Sequence, residues 1–227
     1  MAPITQYTFD FLNDLTANNN RDWFTENKPR YEKSHKEMYI FAESIIEELN
    51  KFDSISTATG KKSLYRIYRD VRFSKNKDPY KTNRSGSFAR EGADRRGGYF
   101  FSVSPGETII GGGFYEPNTD DLNLIRKQIE LDANPLRQVL ADQKFKKYYH
   151  QLLGEQLKTA PRGFDKEDPN IDLLRYKSFY VMHKFTDQEV LADDFKRKVI
   201  EGYKILQDFF DVMTSYLTTD LNGESTI

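Results

Sequence analysis

Cysteine is absent from the 227 residues, which excludes disulfides, thiolate metal sites and a cysteine nucleophile together. Histidine is scarce: His35, His150 and His183 are far apart and in no metal-ligand spacing, so a zinc or iron site would have to be assembled from distant positions, and no cofactor or metal is implied. No stretch approaches the roughly 18 apolar residues of a membrane span. The opening Met1-Ala-Pro-Ile-Thr-Gln-Tyr7 has no basic region followed by an apolar run, which speaks against a secretory leader. With the lack of cysteine, this points to a cytoplasmic protein and no membrane partner. Also missing are the Gly-Lys-Ser/Thr of a Walker loop, a dinucleotide fingerprint, a completed ribonucleoprotein or oligonucleotide-binding signature, and any internal repeat.

What is present is charge, unevenly spread. Apolar residues make up 37% and charged residues 30% of the chain, a balance that supports one folded domain over residues 1–227 with a highly charged surface. Between Lys61 and Arg96 there are twelve basic residues against four acidic ones, a net of +8, so the flanks carry about −9 of the overall −1. A basic region inside a near-neutral chain suits an anionic partner, whether a phosphate-bearing small molecule or a nucleic acid. The competing reading is that these arginines and lysines clamp acidic helices internally.

Hydrophobic spacing outlines an α+β fold, a mainly antiparallel sheet packed against long amphipathic helices. Thr8 or a neighbour caps a short helix bearing Phe11, Leu12 and Leu15, and Asn20 caps the next turn. Pro29 opens a long helix whose apolar stripe is Tyr31, His35, Met38, Ala42, Ile45 and Leu49. Leu64 to Phe73, rich in aromatic and β-branched residues, predicts a strand, and Ser74 to Gly97 predicts a long basic connection. A hairpin is expected from Tyr99–Val103 and Thr108–Ile110 around Ser104-Pro-Gly-Glu107. A helix follows with Asn118 at its cap. A further helix starts at Leu136, and a returning strand is expected at Ser178–His183. Thr186 and Glu189 have capping-box spacing, and a second long helix runs from Phe195 through Leu217.

The residues that carry chemistry cluster in and around the basic segment. Arg66, Arg69 and Arg72, followed by Lys77 and Lys81, offer forked and point-charge donors for phosphate, with Tyr80 among them as a stacking candidate. Strand alternation sends Arg69 to the face opposite Arg66 and Arg72, so convergence requires a bend. Anion affinity is expected to depend on Arg69 and Arg72, with Lys77 and Lys81 adding long-range attraction. Gly111 to Gly113, before Tyr115 and the Asn118 helix, either let backbone amides approach an anion, with Gly112 and Gly113 as the contacts, or form a bulge in an edge strand. Lys158, Arg162 and Lys177 form a second basic edge only where the fold brings them beside the first. His183, at a strand end, is the best-placed general base, so a hydrolase acting on a phosphorylated substrate remains an alternative.

The segments Asn19-Asn-Arg-Asp-Trp-Phe24, Tyr65-Arg-Ile-Tyr-Arg-Asp-Val-Arg-Phe-Ser74, Lys77-Asp-Pro-Tyr-Lys-Thr82, Gly98-Tyr99, Gly112-Gly-Phe-Tyr-Glu-Pro117, Leu157-Lys-Thr-Ala-Pro-Arg-Gly-Phe164 and Lys177-Ser-Phe179 closely resemble a family of uncharacterised bacterial and fungal proteins known as domain of unknown function 2461. The resemblance spans nearly the whole chain. It implies that Arg21, Trp23, Arg66, Arg69, Asp70, Arg72, Lys77, Tyr80, Lys81, Tyr115, Lys158, Arg162 and Lys177 occupy the family's motif positions, and that the basic loop and the Pro-Arg-Gly segment belong to one feature. It brings no agreed reaction with it.

Overall fold

The computed structural model describes residues 4–227; Met1, Ala2 and Pro3, the start of the stretch read above for a leader, lie outside the described residues. Four strands, β1 (Arg84–Ala89), β2 (Gly98–Val103), β3 (Thr108–Phe114) and β4 (Phe179–Phe185), form one antiparallel sheet in the order β1-β2-β3-β4, and helices pack against it. This is the α+β class that the hydrophobic spacing predicts. The chain divides into two compact units. The first holds the described residues up to Phe88, with Phe100–Ile110 and Lys184–Glu201; the second holds Ala89–Tyr99, Gly111–His183 and Gly202–Ile227.

In the first unit, α1 (Gln6–Ala17) buries Phe9, Phe11, Leu12 and Leu15 at helical spacing. Thr5, not Thr8, stands at its N-cap, and the Thr5 hydroxyl donates to the Glu37 carboxylate (2.9 Å) instead of capping its own helix. Thr8 is buried inside the first turn and donates to the same carboxylate (2.8 Å). Asn20 caps α2 (Arg21–Glu26) by accepting from the Trp23 N–H. Pro29 lies in the first turn of α3 (Lys28–Leu49), whose stripe of Met38, Phe41, Ala42, Ile45 and Leu49 is buried. Phe41 stacks on Phe195 (5.5 Å) and meets Phe101 edge-on (5.9 Å). Burying each such ring stabilises the fold by about 1.5–3 kcal/mol. A short helix, α4 (Gly60–Ser63), is capped by Thr59. The expected turn joins β2 to β3, with the Glu107 N–H bonded to the Ser104 carbonyl, and the expected capping box of Thr186 and Glu189 starts α9 (Asp187–Val190).

In the second unit, Asn118 caps α5 (Thr119–Leu131) by accepting from the Asp120 and Asp121 N–H groups. It is followed by α6 (Asn134–Ala141), α7 (Gln143–Tyr149) and α8 (Ile171–Leu174). The long C-terminal helix is two helices, α10 (Phe195–Ile205), whose residues up to Glu201 belong to the first unit, and α11 (Gln207–Thr218). They are separated at Leu206, whose N–H reaches only three residues back to Tyr203. Tyr99 packs on Tyr203 (4.8 Å) and edge-on to Phe210 (5.0 Å) within this unit.

Three local expectations are corrected. Residues 64–73 are not a strand: they make only isolated antiparallel bridges, Leu64 to Gly86 and Tyr68 to Tyr80. The stretch from Ser74 to Gly97 is not one long connection, since it contains β1. The glycine triplet is not in an edge strand, because β3 lies between β2 and β4, and the glycines are strand residues. Gly113, at φ +142°, faces the β4 backbone so closely that a Cβ would collide with the Phe179 carbonyl oxygen, a position that only glycine fills without strain.

Candidate anion site on the basic segment

The failure of residues 64–73 to form a strand is what shapes the site. The Tyr65 N–H bonds the Ser85 carbonyl, whereas farther along the Lys81 N–H bonds the Ile67 carbonyl and the Arg69 N–H bonds the Pro79 carbonyl. Between these pairs, the three residues Thr82, Asn83 and Arg84 oppose the single residue Arg66. Two extra residues in one partner break the ladder and re-aim its side chains, as a bulge does. The ladder is interrupted at Arg66, while Arg69 and Arg72 are each paired with a neighbouring aspartate of the loop.

Arg84, the first residue of β1, is 1% exposed. Its Nη2 lies 2.7 Å from His35 Nδ1; arginine only donates, so Nδ1 accepts and the neutral imidazole carries its proton on Nε2. The guanidinium carbon lies 5.4 Å from the centre of the Tyr31 ring, on which His35 stacks nearly parallel (5.5 Å, 7°). The Arg84 Nε is buried without a hydrogen-bond partner. No carboxylate pairs with Arg84, Lys81 or Arg66 among the described residues, although the Arg66 field reaches Asp70. Burial lowers the Arg84 guanidinium pKa. Burial, then the fields of Arg66 and Arg84, lowers that of the Lys81 ammonium. Burial, then Arg84 and Lys61, holds His35 below its ordinary value. Burial is the first cause of each shift, opposed at Arg84 by Tyr31 and reinforced at Lys81 and His35 by neighbouring positive charge.

The other candidates of the basic segment hold the loop beyond the bend. Arg72 pairs with Asp70 (2.6 Å), Arg69 donates to the Asp78 carbonyl (3.2 Å) and lies 3.9 Å from its carboxylate, and Lys77 donates to the Val71 carbonyl (2.9 Å). Tyr80 is buried, stacked on Phe24 at 3.9 Å and tied through its backbone to both ends of the Asn19 amide. Its ring belongs to the core cluster of Phe11, Leu12, Leu15, Phe24 and Ile67.

The remaining candidates, Gly112, Gly113, Tyr115, Lys158, Arg162 and Lys177, belong to the second unit. Tyr115 and Lys177 line a cleft of about 490 Å³ with Glu116, Arg126, Ser178 and Tyr180. In it Lys177 is paired with Glu155 (2.5 Å), and buried Arg126 donates to the carbonyls of Leu174 (2.8 Å) and Tyr176 (3.0 Å). Lys158 and Arg162 are exposed. His183 stacks on Tyr148 (4.0 Å), with Nδ1 2.8 Å from the Tyr148 carbonyl oxygen. Among the described residues, no group of three or more His, Asp or Glu side chains is placed to hold a metal, and no helix is long and apolar enough to cross a membrane.

Sequence reasoning passed over Arg84 and its neighbours. Thr82 to Ser87 is too rich in serine and glycine to read as a strand, and His35 reads as an ordinary member of a helix face. Arg84 directly precedes the Ser-Gly-Ser-Phe alternation of β1, and that was the available signal.

No curated protein and no solved structure matches the chain. The family model described as conserved hypothetical protein (DUF2461) matches residues 7–211, and the chain belongs to that family.

Proposed function

We propose that the first unit binds a phosphate-bearing ligand through Arg66, Lys81 and Lys61, grouped around the buried guanidinium of Arg84. The observation that carries this reading is Arg84 itself: 1% exposed, with an unpartnered Nε and no carboxylate among the described residues. A buried ion without a counter-charge costs several kcal/mol even after relaxation. An anion that neutralises the cluster offsets that cost, and the field of a charge beneath a low-dielectric surface is felt strongly by a ligand above it. The absence of cysteine supports a cytoplasmic setting for this activity.

A structural role has its own support in the pairs Arg72 with Asp70 and Arg69 with Asp78, which tie the loop to itself. The two readings assign importance to different residues. Binding of polyphosphate at low salt, followed by titration and by the rise in unfolding temperature, separates them. Replacing Arg66 and Lys81 together with Gln is expected to weaken binding more than tenfold, about 1.4 kcal/mol, with the melting temperature of the free protein unchanged. The Arg69→Gln/Arg72→Gln pair is expected to cost less. Equal binding by the unchanged protein and the Arg66→Gln/Lys81→Gln variant would remove this site from consideration.

A further inference from the structure

Three aromatic side chains stand in solvent within nine positions of the basic segment. Tyr65 is 43% exposed, Tyr68 56% and Phe73 97%. Arg66, Arg69 and Arg72 lie between them in sequence. Single exposed apolar residues are ordinary on protein surfaces, but here two of the three rings have a cation at hand. Lys81 Nζ lies 5.5 Å from the Tyr65 ring centre, and the Arg72 guanidinium lies 5.9 Å from that of Phe73. Tyr68 is held from within the unit by Tyr80 (5.4 Å) and Phe24 (6.5 Å) while more than half of its surface stays open. It is therefore a ring already fixed in place, with little ordering entropy left to lose on stacking.

We infer that the phosphate-bearing ligand of this site is a single-stranded nucleic acid, its bases stacking on Tyr68, Phe73 and Tyr65 and its phosphates lying on Arg66, Lys81 and Lys61. This rests on the anion-binding reading above and adds the base to it. Polyphosphate or an isolated phosphate has no use for exposed rings. A single nucleotide has one base, whereas Tyr65 and Tyr68, three residues apart in extended chain, are separated by about 10 Å along the backbone. A duplex would need a regular helix or ribbon to enter its major groove, and its bases are already stacked. Residues 64–73 offer only isolated bridges and an irregular loop. Stacking on aromatic platforms beside a cationic track is the mode by which single strands are held with little regard to sequence.

The test compares three probes with equal numbers of phosphates at one low salt concentration: oligothymidylate, the abasic strand of the same length, and linear polyphosphate. The unchanged protein is expected to bind oligothymidylate at least tenfold tighter than the abasic strand. Phe73→Ala, at a side chain 97% exposed, leaves packing intact and is expected to reduce that preference severalfold while polyphosphate binding stays within twofold. Tyr68→Ala is expected to do the same, with its melting temperature measured alongside. If the unchanged protein binds oligothymidylate and the abasic strand equally, the single-strand inference fails while anion binding stands. If none of the three probes binds, both fail.

Discussion

At the scale of single residues, Arg84 and His35 set the terms. A guanidinium that serves as an internal clamp destabilises the fold by about 3–5 kcal/mol when it is removed, because its counter-charge is stranded; one with no counter-charge leaves no charge stranded. Arg84→Met keeps the length and the apolar contact with Tyr31. It is therefore expected to unfold in urea within about 1 kcal/mol of the unchanged protein, or later, since a methionine pays no ionic desolvation. A loss of about 3 kcal/mol or more would make Arg84 a structural member. His35 gives a pH signature. Burial, then Arg84 and Lys61, lowers its pKa in the fold, so as pH falls past about 6.5 the unfolded chain takes up a proton first. The stability associated with neutral His35 is thus full above about pH 6.5 and is lost as pH falls toward the folded-state value. Asn in place of His35 keeps an acceptor for Arg84 without the titration, and is expected to flatten this part of the stability curve. An unaltered curve in His35→Asn would assign the slope to other groups.

The elements were legible in the sequence where a cap or a stripe announced them. Asn20, Asn118 and the Thr186/Glu189 box each mark a helix start in the structure, because an unpaired N–H needs a nearby acceptor wherever the helix lies, and Pro29 marks another because a first-turn residue loses nothing by lacking an N–H. The strands were read less well. Leu64–Phe73 has strand composition but loses its ladder to two extra residues in its partner, and β1 has a regular ladder built from residues with poor strand propensity. Both outcomes are fixed by what lies across the chain, which local composition does not encode. The glycines of β3 follow the same logic. Gly113 and Gly106 both have positive φ, but a Cβ at Gly106 meets nothing within 4 Å, while at Gly113 it strikes the β4 backbone. Alanine at Gly106 should therefore cost only the backbone term, about 1–3 kcal/mol. Alanine at Gly113 should cost clearly more, measured as the shift in urea midpoint at unchanged slope. Equal costs would mean that close strand approach is not the reason for glycine there.

For the whole molecule, the charge asymmetry read from the sequence singled out the segment but did not show which of its cations are paired. Charge counting treats Arg72 and Arg66 alike; the structure pairs the first with Asp70 and leaves the second without an ion pair among the described residues. The sum still governs how a polyanion meets the protein, since residues 61–96 carry +8 and the remainder about −9. Attraction is confined to that segment, while the rest on average repels. The number of phosphates neutralised should therefore be small and countable. If Arg66, Lys81 and Lys61 each take one phosphate of a single strand, counterion release gives roughly −0.7 per contact, and log K should fall against log salt with a slope of about −2. Arg66→Gln should reduce the slope by about 0.7 as well as weaken binding, because it removes one contact and the counterion that contact released. Phe73→Ala should weaken binding to a single strand at every salt concentration with the slope unchanged, because stacking releases no phosphate counterion. A slope that is insensitive to Arg66→Gln, or one that changes with Phe73→Ala, would mean that charge and stacking are not divided between these residues.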